Sequence, residues 1–440
     1  MCRPVRHFIR REKVMEKFDV IIVGGGLAGT AAALTLAKAG KDVLCIERGI
    51  NCGSKNVTGG RLYGHSLEKL IPGFAKEAPV ERKVVKEKIS LLTEDSGMTL
   101  EYASRGLGDE ACASYTVLRG KFDKWFAAQA EKAGAMYVNG ITVDALITEN
   151  GKVVGVRSHD DEVFADAVIL CDGVNSLLAQ QAGLKKELKA SDTAVGIKEV
   201  IQFDEKTVNE RFGLAPGEGA CWMVDGDPTN GAMGGGFIYT NKDSVSVGIV
   251  ATISDIGYTD TAVPDYLERF KAHPAIAPYL EGGKVIEYSA HLVSEAGLEA
   301  VSELYGDGVL VAGDAAGFVI NYGYTVRGMD FAIESGRLAA EAVLACGGDT
   351  SKTGLSVYRE LLENSFVMKD LKCSKNMPGL LSMREMYTNL PKLTCGIMDA
   401  MFKVDGEQND GLLCKAAPEI AKAGGLLTLT KVGMKALEAF

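Results

Sequence analysis

The sequence has few histidines and no closely paired cysteines, and both absences restrict its chemistry. Its five histidines are scattered along 440 residues and form neither a metal-ligand spacing nor a Ser/His/Asp arrangement. The ten cysteines include no C-x-x-C pair, so the chain lacks the cysteine ladder of a ferredoxin-type iron–sulfur cluster. Most of these cysteines are expected to be reduced packing residues of an intracellular protein. Neither hydrolytic nor metal-centred catalysis is therefore indicated.

Long apolar runs and excess positive charge are missing as well. No uninterrupted apolar stretch of about 18 residues occurs, so no transmembrane helix is predicted. The net charge of −10 argues against a nucleic-acid partner. Residues 1–14 are basic but lack the apolar core of a signal peptide. They are expected to form a flexible basic extension, and the sequence leaves open whether translation starts at Met1 or Met15.

What the sequence does contain is a complete dinucleotide-binding unit at residues 18–49. An apolar strand (FDVIIV), the glycine pattern GGGLAG, a helix of small residues and a second strand (DVLCIE) follow in that order. The glycines allow a tight turn and let a pyrophosphate approach the helix N-terminus. The acid that ends the second strand would accept hydrogen bonds from both ribose hydroxyls and would disfavour NADP. This unit alone leaves FAD and NAD open. Its expected cofactor contacts are Gly24, Gly26, Leu27, Ala28, Gly29, Glu47 and Arg48.

Later segments favour FAD. GDGVLVAGDAAGFVI (306–320) resembles the second FAD fingerprint of the flavoprotein class that includes glutathione reductase and p-hydroxybenzoate hydroxylase, in which an aspartate binds the ribityl chain. Residues 321–343 predict a turn and a helix, and in that class the helix N-terminus points at the flavin pyrimidine. Its positive end would stabilise an anionic reduced flavin. The expected contacts from these two segments are Gly313, Asp314, Gly328 and Met329.

Further segments agree with the same class. Arg119 precedes an amphipathic helix in VLRGKFDKWFAAQAEKAGA and resembles the arginine that neutralises FAD phosphates. ADAVILCDGVNS (165–176) matches the D-G-x-x-S pattern of the class, which implies that Asp172 and Gly173 lie near the flavin. The preceding segment GITVDAL is expected to be a strand that passes the adenine, with Val143 as a backbone contact.

The order of these segments predicts an α/β fold, in which a Rossmann-type FAD-binding domain is interleaved with an antiparallel-sheet domain for a substrate or quinone. Residues 186–299 alternate as strands do. The chain has no second nucleotide fingerprint and therefore no dedicated NAD(P)H domain, so the flavin is expected to be reduced by something else. The methionine- and lysine-rich segment after about residue 365 predicts helices, either packed over the core or meeting a membrane or partner. The predicted boundaries are FAD-binding segments at 15–80, 115–185 and 300–365, substrate-domain segments at 81–114 and 186–299, and a helical C-terminal region at 366–440.

From Met15 onward, the chain resembles the Fix-type electron-transfer-flavoprotein:quinone oxidoreductases, which are relatives of the geranylgeranyl reductases. The distinguishing loop is GSKNVTGGRLYGHSLEKLIPGF (53–74), which carries the family's K-N-x-[ST]-G-G-x-x-[YH] pattern. The resemblance implies a heterodimeric electron-transfer flavoprotein as electron donor, with bifurcation left open, and a quinone as acceptor. Because the cluster cysteines are missing, it also implies a separate ferredoxin-like subunit. The motif residues expected at the cofactor are Lys55, Asn56, Thr58, Gly59, Gly60 and Arg61.

Electron relay is the predicted mechanism, with Lys55, Arg61 and the flavin helix setting the flavin potential. The sequence does not rank Tyr63, His65 and water as proton donors to a quinone. The protein is expected to be cytoplasmic and peripheral on the inner face of the cell membrane. Three other readings stay open: a prenyl reductase that saturates geranylgeranyl double bonds, an NADPH-dependent hydroxylase, and a flavin-stabilised scaffold subunit.

Overall fold

Two large β-sheets form the framework of the chain. The computed structural model describes residues 17–55, 60–257, 261–404, 406 and 411–439, and the predicted extension at 1–14 lies outside them. Within these residues, the first sheet consists of β1 (Lys17–Val23), β2 (Val43–Glu47), β7 (Met136–Asn139), β8 (Ala145–Glu149), β9 (Lys152–Ser158), β10 (Asp161–Leu170), β16 (Tyr305–Gly306) and β17 (Val309–Val311).

Five neighbouring strands of the first sheet run parallel, in the order β17-β10-β1-β2-β7. The central strand β1 is buried from Val20 to Val23, as expected for a parallel strand that has helices on both faces. Because the strands are parallel, their carboxyl ends lie at one edge of the sheet. Ligands of open α/β sheets bind at that edge.

The second sheet is mostly antiparallel. Its strands are β3 (Arg61–Tyr63), β4 (Val80–Leu92), β5 (Gly97–Ala103), β6 (Ser114–Val117), β11 (Thr193–Gln202), β12 (Glu218–Gly226), β13 (Gly234–Thr240), β14 (Ser244–Thr252) and β15 (Lys284–Ser294). Strands β4 and β12 pair in parallel. A short hairpin, β18 (Ile320–Asn321) and β19 (Val326–Arg327), stands apart from both sheets.

Helices surround the two sheets. Their bounds are α1 (Leu27–Lys38), α2 (His65–Leu70), α3 (Arg119–Lys132), α4 (Leu177–Gln181), α5 (Glu205–Phe212), α6 (Ile253–Ile256), α7 (Val263–Ala272), α8 (Ala277–Leu280), α9 (Met329–Ala345), α10 (Val357–Asn364), α11 (Phe366–Cys373), α12 (Met377–Leu381), α13 (Asn389–Phe402), α14 (Gly411–Lys422) and α15 (Gly425–Ala439). No described helix combines the length and apolar character that crossing a bilayer requires.

Helices α1 and α9 pack together against the first sheet. All residues of α1 except Thr35 and Lys38 are buried, because its alanines and glycine let it lie close to its neighbours. Helix α9 buries two acids that have cationic partners: Arg327 lies 2.5 Å from Asp330, and Lys69 of α2 lies 2.9 Å from Glu334. These ion pairs fix the N-terminal half of α9 over the sheet edge.

The C-terminal helices form a third core, which includes Met233, Leu381 and Tyr387. This packing brings α12 and the turn after it over one end of the second sheet, since Met233 directly precedes β13. The predicted α/β fold class and the helical C-terminal region are confirmed.

Two strands cross the domain boundaries predicted from the sequence. Strand β3, and β6 apart from Ser114, fall within segments assigned to the FAD-binding domain, yet the two strands pair with each other and join the second sheet. A short strand carries no sign of the sheet to which it belongs, because its partner lies far away in the sequence. The segment GITVDAL is corrected too: residues 140–144 form an irregular loop, and β8 begins only at Ala145.

Candidate functional site

Two adjoining cavities lie at the carboxyl edge of the first sheet. The smaller cavity is bordered by the ends of β1 and β2, the loop at 141–143 and the loop after β10. The larger cavity runs from the start of α1 to one face of the second sheet and is covered by Leu381 and Tyr387. Both cavities share the lining residues Gly26, Cys171, Gly173 and His291. An elongated ligand with two different ends could therefore occupy both.

The start of α1 lies where the cavities meet. Gly26 is the N-cap of this helix and no side chain caps it, so the first backbone N–H groups are available to an anion. Gly24 has a φ of +103°, and an added Cβ would overlap the carbonyl of Cys171; at Gly29, it would overlap the carbonyl of Gly24. Only glycine fits at these two positions, so the turn holds Leu27 and Ala28 beside the larger cavity.

Glu47 closes the smaller cavity at the end of β2. One carboxylate oxygen accepts a hydrogen bond from the Gly25 N–H at 2.8 Å and the other accepts one from the Gly49 N–H at 2.6 Å. The side chain is 9% exposed, and each oxygen keeps a lone pair for a ligand hydroxyl. Arg48 and Val143 border the same cavity. This set of groups suits a ribose and an adenine.

Two further aspartates border the cavities, one in each. Asp172 follows β10; its Oδ1 is buried with no hydrogen-bond partner, while its Oδ2 accepts from the Leu178 N–H at 3.3 Å. Asp314 follows β17 and lines the larger cavity. Burial raises the pKa of both carboxyl groups. A buried acceptor without a donor is costly, so the unpartnered oxygen of Asp172 fits a site that a polar ligand completes.

The second sheet forms the far wall of the larger cavity. Along β12, Trp222 and Val224 face the helical layer of α7, whereas Met223 and Asp225 face the cavity. Residues with the same two-residue period complete this wall: Gly235, Phe237 and Tyr239 of the neighbouring strand β13, and His291 and Val293 of the edge strand β15.

Comparisons with known proteins agree with this geometry. A family model described as an FAD binding domain matches residues 17–323, and one described as the ETF-QO/FixC family C-terminal domain matches residues 377–440. The "probable electron transfer flavoprotein-quinone oxidoreductase YdiS" of Escherichia coli (strain K12) is 48% identical over 426 residues, which cover 96% of this chain and 99% of that protein. Protein FixC of the same strain is 47% identical over 420 residues, which cover 95% and 98%. The chain belongs to the ETF-QO/FixC family.

The family assignment confirms the resemblance inferred from the 53–74 loop. It also confirms FAD as the cofactor and makes this ETF-QO/FixC family member an FAD-dependent oxidoreductase of electron transfer. Among solved structures, a "geranylgeranyl bacteriochlorophyll reductase-like" protein from Thermoplasma acidophilum has a TM-score of 0.70 at 24% identity and covers 95% of this chain and 100% of that chain. The flavin-dependent brominase Bmp2 has a TM-score of 0.63 at 17% identity and covers 92% and 99%. These two likenesses show the fold.

The residues of the family loop separate in space. Lys55 borders the smaller cavity beside Glu47, whereas Gly60 and Arg61 border the larger one. Arg61 donates to the hydroxyl of Ser114 at 3.1 Å and lies 2.5 Å from a carboxylate oxygen of Glu87. The remaining loop candidates Asn56, Thr58 and Gly59 lie outside the described residues.

Tyr63 and His65 do not border either cavity. The Tyr63 hydroxyl shares a hydrogen bond of 2.7 Å with the Thr325 hydroxyl. His65 begins α2, and its Nε2 lies 3.1 Å from Oδ2 of Asp330 on α9. His65 falls within the loop pattern at 53–74, whereas the structure places it in α2. Its position at the start of a helix lets it join α2 to α9 behind the cavity.

Arg119 borders the larger cavity at the N-terminus of α3. Its guanidinium forms a bidentate ion pair with Asp123, with both N–O distances at 2.7 Å. This ion pair fixes the orientation of the guanidinium plane, and the negative charge of Asp123 partly neutralises the positive charge of Arg119. Gly328 and Met329 also border this cavity at the start of α9, whereas Gly313 is buried beside Asp314 and does not line it.

Sequence reasoning missed three polar residues of the larger cavity: Asp225, His291 and Glu295. His291 and Val293 lie two residues apart on β15, and Glu295 continues this spacing directly after the strand. Asp225 and Met223 lie two residues apart on β12. Burial lowers the pKa of His291, whereas burial raises the pKa of Asp225 and of Glu295 to about 7 each. Strand alternation indicated which face each residue takes. It did not indicate that this face of the second sheet lies toward the carboxyl edge of the first sheet, where the cofactor is expected.

We expect Asp225→Asn to stabilise the protein at alkaline pH. The folded-state pKa of about 7 exceeds the unfolded value of about 3.9, so the folded state binds more protons between these values. The stability that Asp225 contributes is fully present below the unfolded pKa and is lost as the pH rises through 7. The difference in unfolding free energy between the variant and the wild type should therefore grow by about 2–3 kcal/mol, in favour of the variant, from pH 5 to pH 8. Urea denaturation at both pH values measures this, and parallel pH profiles would contradict it.

Proposed function

We propose that this protein accepts electrons from an electron-transfer flavoprotein and passes them through FAD to a quinone. The observation that carries the proposal is the near-full-length similarity to YdiS, named as a probable electron transfer flavoprotein-quinone oxidoreductase. The site supports it, because the larger cavity continues past the cofactor edge and leaves room beside the start of α9. A second reactant could therefore approach the cofactor there.

The cofactor assignment proposed from the geometry places the adenosine in the smaller cavity and the flavin in the larger one. Glu47 would bind the ribose hydroxyls, the N–H groups at the start of α1 the pyrophosphate, and Asp314 the ribityl chain. FAD supplies the two-electron chemistry when bound. The chain's own residues position it, and the uncapped start of α9 presents its positive end to the flavin ring.

Electrons would enter through a partner protein. We propose that an electron-transfer flavoprotein delivers them, either directly or through a small ferredoxin-like subunit, because this sequence has neither a second nucleotide fingerprint nor paired cysteines. Whether the partner bifurcates electrons is a property of its own cofactors. Among the described residues, no cluster of His, Cys, Asp and Glu is arranged to hold a metal ion.

The direct test follows the colour of the bound FAD through both half-reactions. Purified protein is mixed with reduced electron-transfer flavoprotein under anaerobic conditions, and a short-chain ubiquinone is then added. Bleaching followed by return of the flavin absorbance is expected. A protein that bleaches but is reoxidised by geranylgeranyl substrates and not by the quinone would instead be a prenyl reductase. The apolar residues Met223, Met233 and Leu381 of the larger cavity would accommodate such a substrate. Reduction by NADPH would identify a hydroxylase.

The C-terminal helices expose apolar side chains that suit a membrane surface. Leu427 and Leu437 on α15 are 87% and 84% exposed, and Phe402 and Val404 at the end of α13 are 76% and 91% exposed. Exposed apolar residues that cluster in one region commonly mark an interaction site. We propose that these residues dock the protein on the lipid surface from which a quinone would come.

Replacing both Leu427 and Leu437 with glutamate should therefore weaken membrane binding. Burying a leucine in an apolar phase contributes about 1.5–3 kcal/mol, so the double variant should bind vesicles on the order of 100-fold more weakly. Co-sedimentation with vesicles of zwitterionic and anionic lipid measures the change. Leu100→Glu is the matched control, since Leu100 is 63% exposed on β5 of the second sheet. Equal binding by all three proteins would remove this surface from the proposal.

A further inference from the structure

One end of the larger cavity is formed by the second sheet and the C-terminal region, and two carboxyl groups lie at this end. Asp225 reaches the cavity from β12, and Glu295 reaches it directly after β15. Both lie near Tyr387, whose side chain covers this end of the cavity. Apolar residues line the cavity around them, among them Met223, Met233, Val293, Val326 and Leu381.

Neither carboxyl group has a cationic partner within the described part of the chain. Glu295 accepts one hydrogen bond, from the side-chain amide of Asn321 at 3.1 Å, and no donor reaches the carboxylate of Asp225 among the described residues. The cationic groups that line the cavity lie toward its other end, where Arg61 is paired with Glu87 and Arg119 with Asp123. Unpaired acids in an apolar cavity destabilise the fold when charged, so their presence calls for a chemical reason.

We propose that Asp225 and Glu295 are the acids that protonate the reduced acceptor in this cavity. The inference rests on the proposed function, and the acceptor class is a conjugated dicarbonyl such as a quinone. Such a molecule gains two electrons and two protons as its two C=O groups become C–OH groups. Uncompensated negative charge on its oxygens would be costly in an apolar cavity, so the protons must arrive with the electrons.

The step balances with the groups already named. Two electrons pass from reduced FAD to the dicarbonyl, and FAD is the group oxidised. The Asp225 and Glu295 carboxyl groups each break one O–H bond and give one proton to an acceptor oxygen. Anionic reduced FAD would release one proton as it is oxidised, and this proton together with one taken from solvent would restore the two carboxyl groups. No other oxidant or reductant is required.

The protonation state supports these roles. Burial raises the pKa of both groups to about 7, and the hydrogen bond from Asn321 opposes the rise for Glu295. Each group therefore keeps a substantial protonated fraction near neutral pH and can release its proton there, as a general acid must. The other titratable groups near this end are Tyr387, whose pKa burial raises well above its usual value, and Asp255, whose Oδ2 accepts from the Met233 N–H.

The test compares two acceptors that differ in their need for protons. Protein whose FAD has been reduced with dithionite is mixed in a stopped-flow instrument with either a short-chain ubiquinone or ferricenium, which takes one electron and no proton. The variants are Asp225→Asn, Glu295→Gln and the double substitution, which keep the side-chain shape. Glu287→Gln is the control, because Glu287 is exposed on the same strand, β15.

We expect flavin reoxidation by the quinone to be about 100-fold slower in the double variant, with an unchanged rate for ferricenium and an unchanged FAD content. In the wild type, the quinone rate should be flat below about pH 7 and fall above it, and this profile should disappear in the double variant. Infrared difference spectra between pH 6 and pH 8 should show protonated carboxyl bands that each single substitution removes in part.

Three results would overturn the inference: wild-type quinone rates in the double variant, an equal slowing with both acceptors, or infrared bands showing that both groups are already ionised at pH 6. Failure of the proposed function gives a different result. Wild-type protein would then be reoxidised by ferricenium but not by the quinone, and the acceptor itself would have to be replaced.

Discussion

Glu47→Gln protein is expected to lose most of its FAD during purification. In the wild type, one carboxylate oxygen accepts from the Gly25 N–H and the other from the Gly49 N–H. A carboxamide has one oxygen and one NH₂ group, so in either orientation an NH₂ group faces a backbone N–H. The turn between β1 and α1, which presents the N–H groups proposed for the pyrophosphate, would be displaced at the same time as a ribose contact is lost.

The expected size of this effect follows from the contacts removed. Hydrogen bonds to a charged group contribute about 1.5–3 kcal/mol each, and every 1.4 kcal/mol changes a dissociation constant about tenfold. Glu47→Gln loses one ribose contact and displaces the turn proposed for the pyrophosphate, so FAD binding should weaken by roughly 100-fold or more. Glu47→Ala, which removes both oxygens without introducing an NH₂ group, should weaken binding to a similar extent while perturbing the turn less.

Flavin absorbance per mole of protein after desalting gives the first measurement, and titration of apoprotein with FAD gives the dissociation constant. Glu149→Gln is the control, because Glu149 ends β8 in the same sheet and is exposed. If both Glu47 variants kept a full complement of FAD through desalting, the ribose assignment would be wrong.

The cofactor side of the molecule was largely predictable from the sequence. Gly24, Gly26 and Glu47 lie in one contiguous βαβ unit, so local order alone brings them to a common edge. The glycine turn and the acid at the end of β2 need no distant partner to adopt these positions. Asp314 is more remote in sequence, but it also follows directly from a parallel strand, and parallel strands of one sheet end at the same edge.

The part of the site proposed for the electron acceptor could not be predicted in the same way. Asp225 lies on β12 and Glu295 directly follows β15 of the second sheet, and their approach to the cofactor depends on how that sheet is placed against the first. The same uncertainty explains His65, the first residue of a helix that packs toward α9. It also explains β3 and β6, which pair across more than 50 residues. Strand alternation gives the face that a residue takes, whereas the packing of whole sheets decides which face borders the site.

Arg82→Met is expected to give the largest loss of stability in the second sheet. Arg82 lies on β4 and is 1% exposed. Its guanidinium donates to four acceptors, and they belong to the segments that surround the strand: the Asn209 side-chain oxygen on α5, the Glu218 carbonyl at the start of β12, and the carbonyls of Asn241 and Lys242 between β13 and β14. One side chain thus satisfies acceptors in three separate segments, which are α5, the start of β12 and the turn between β13 and β14.

Methionine keeps the apolar stem but leaves these acceptors without donors. A buried acceptor that loses its partner costs about 1–3 kcal/mol, and since some acceptors would recover water, the net loss should be about 3–5 kcal/mol of unfolding free energy. Arg82→Lys should recover only part of it, because an ammonium group is a compact donor that cannot span acceptors placed around a planar guanidinium.

The fluorescence of Trp222 is a local probe for this effect, since its indole N–H donates to the Ser90 hydroxyl of β4 at 2.7 Å. The only other tryptophan, Trp125, can be replaced by phenylalanine in all proteins compared, so that urea denaturation reports on the second sheet alone. Arg105→Met is the control, because Arg105 is exposed. A midpoint equal to that of the control would show that water replaces the guanidinium at little cost. The second sheet would then owe its stability to the apolar residues packed against α7 rather than to this central arginine.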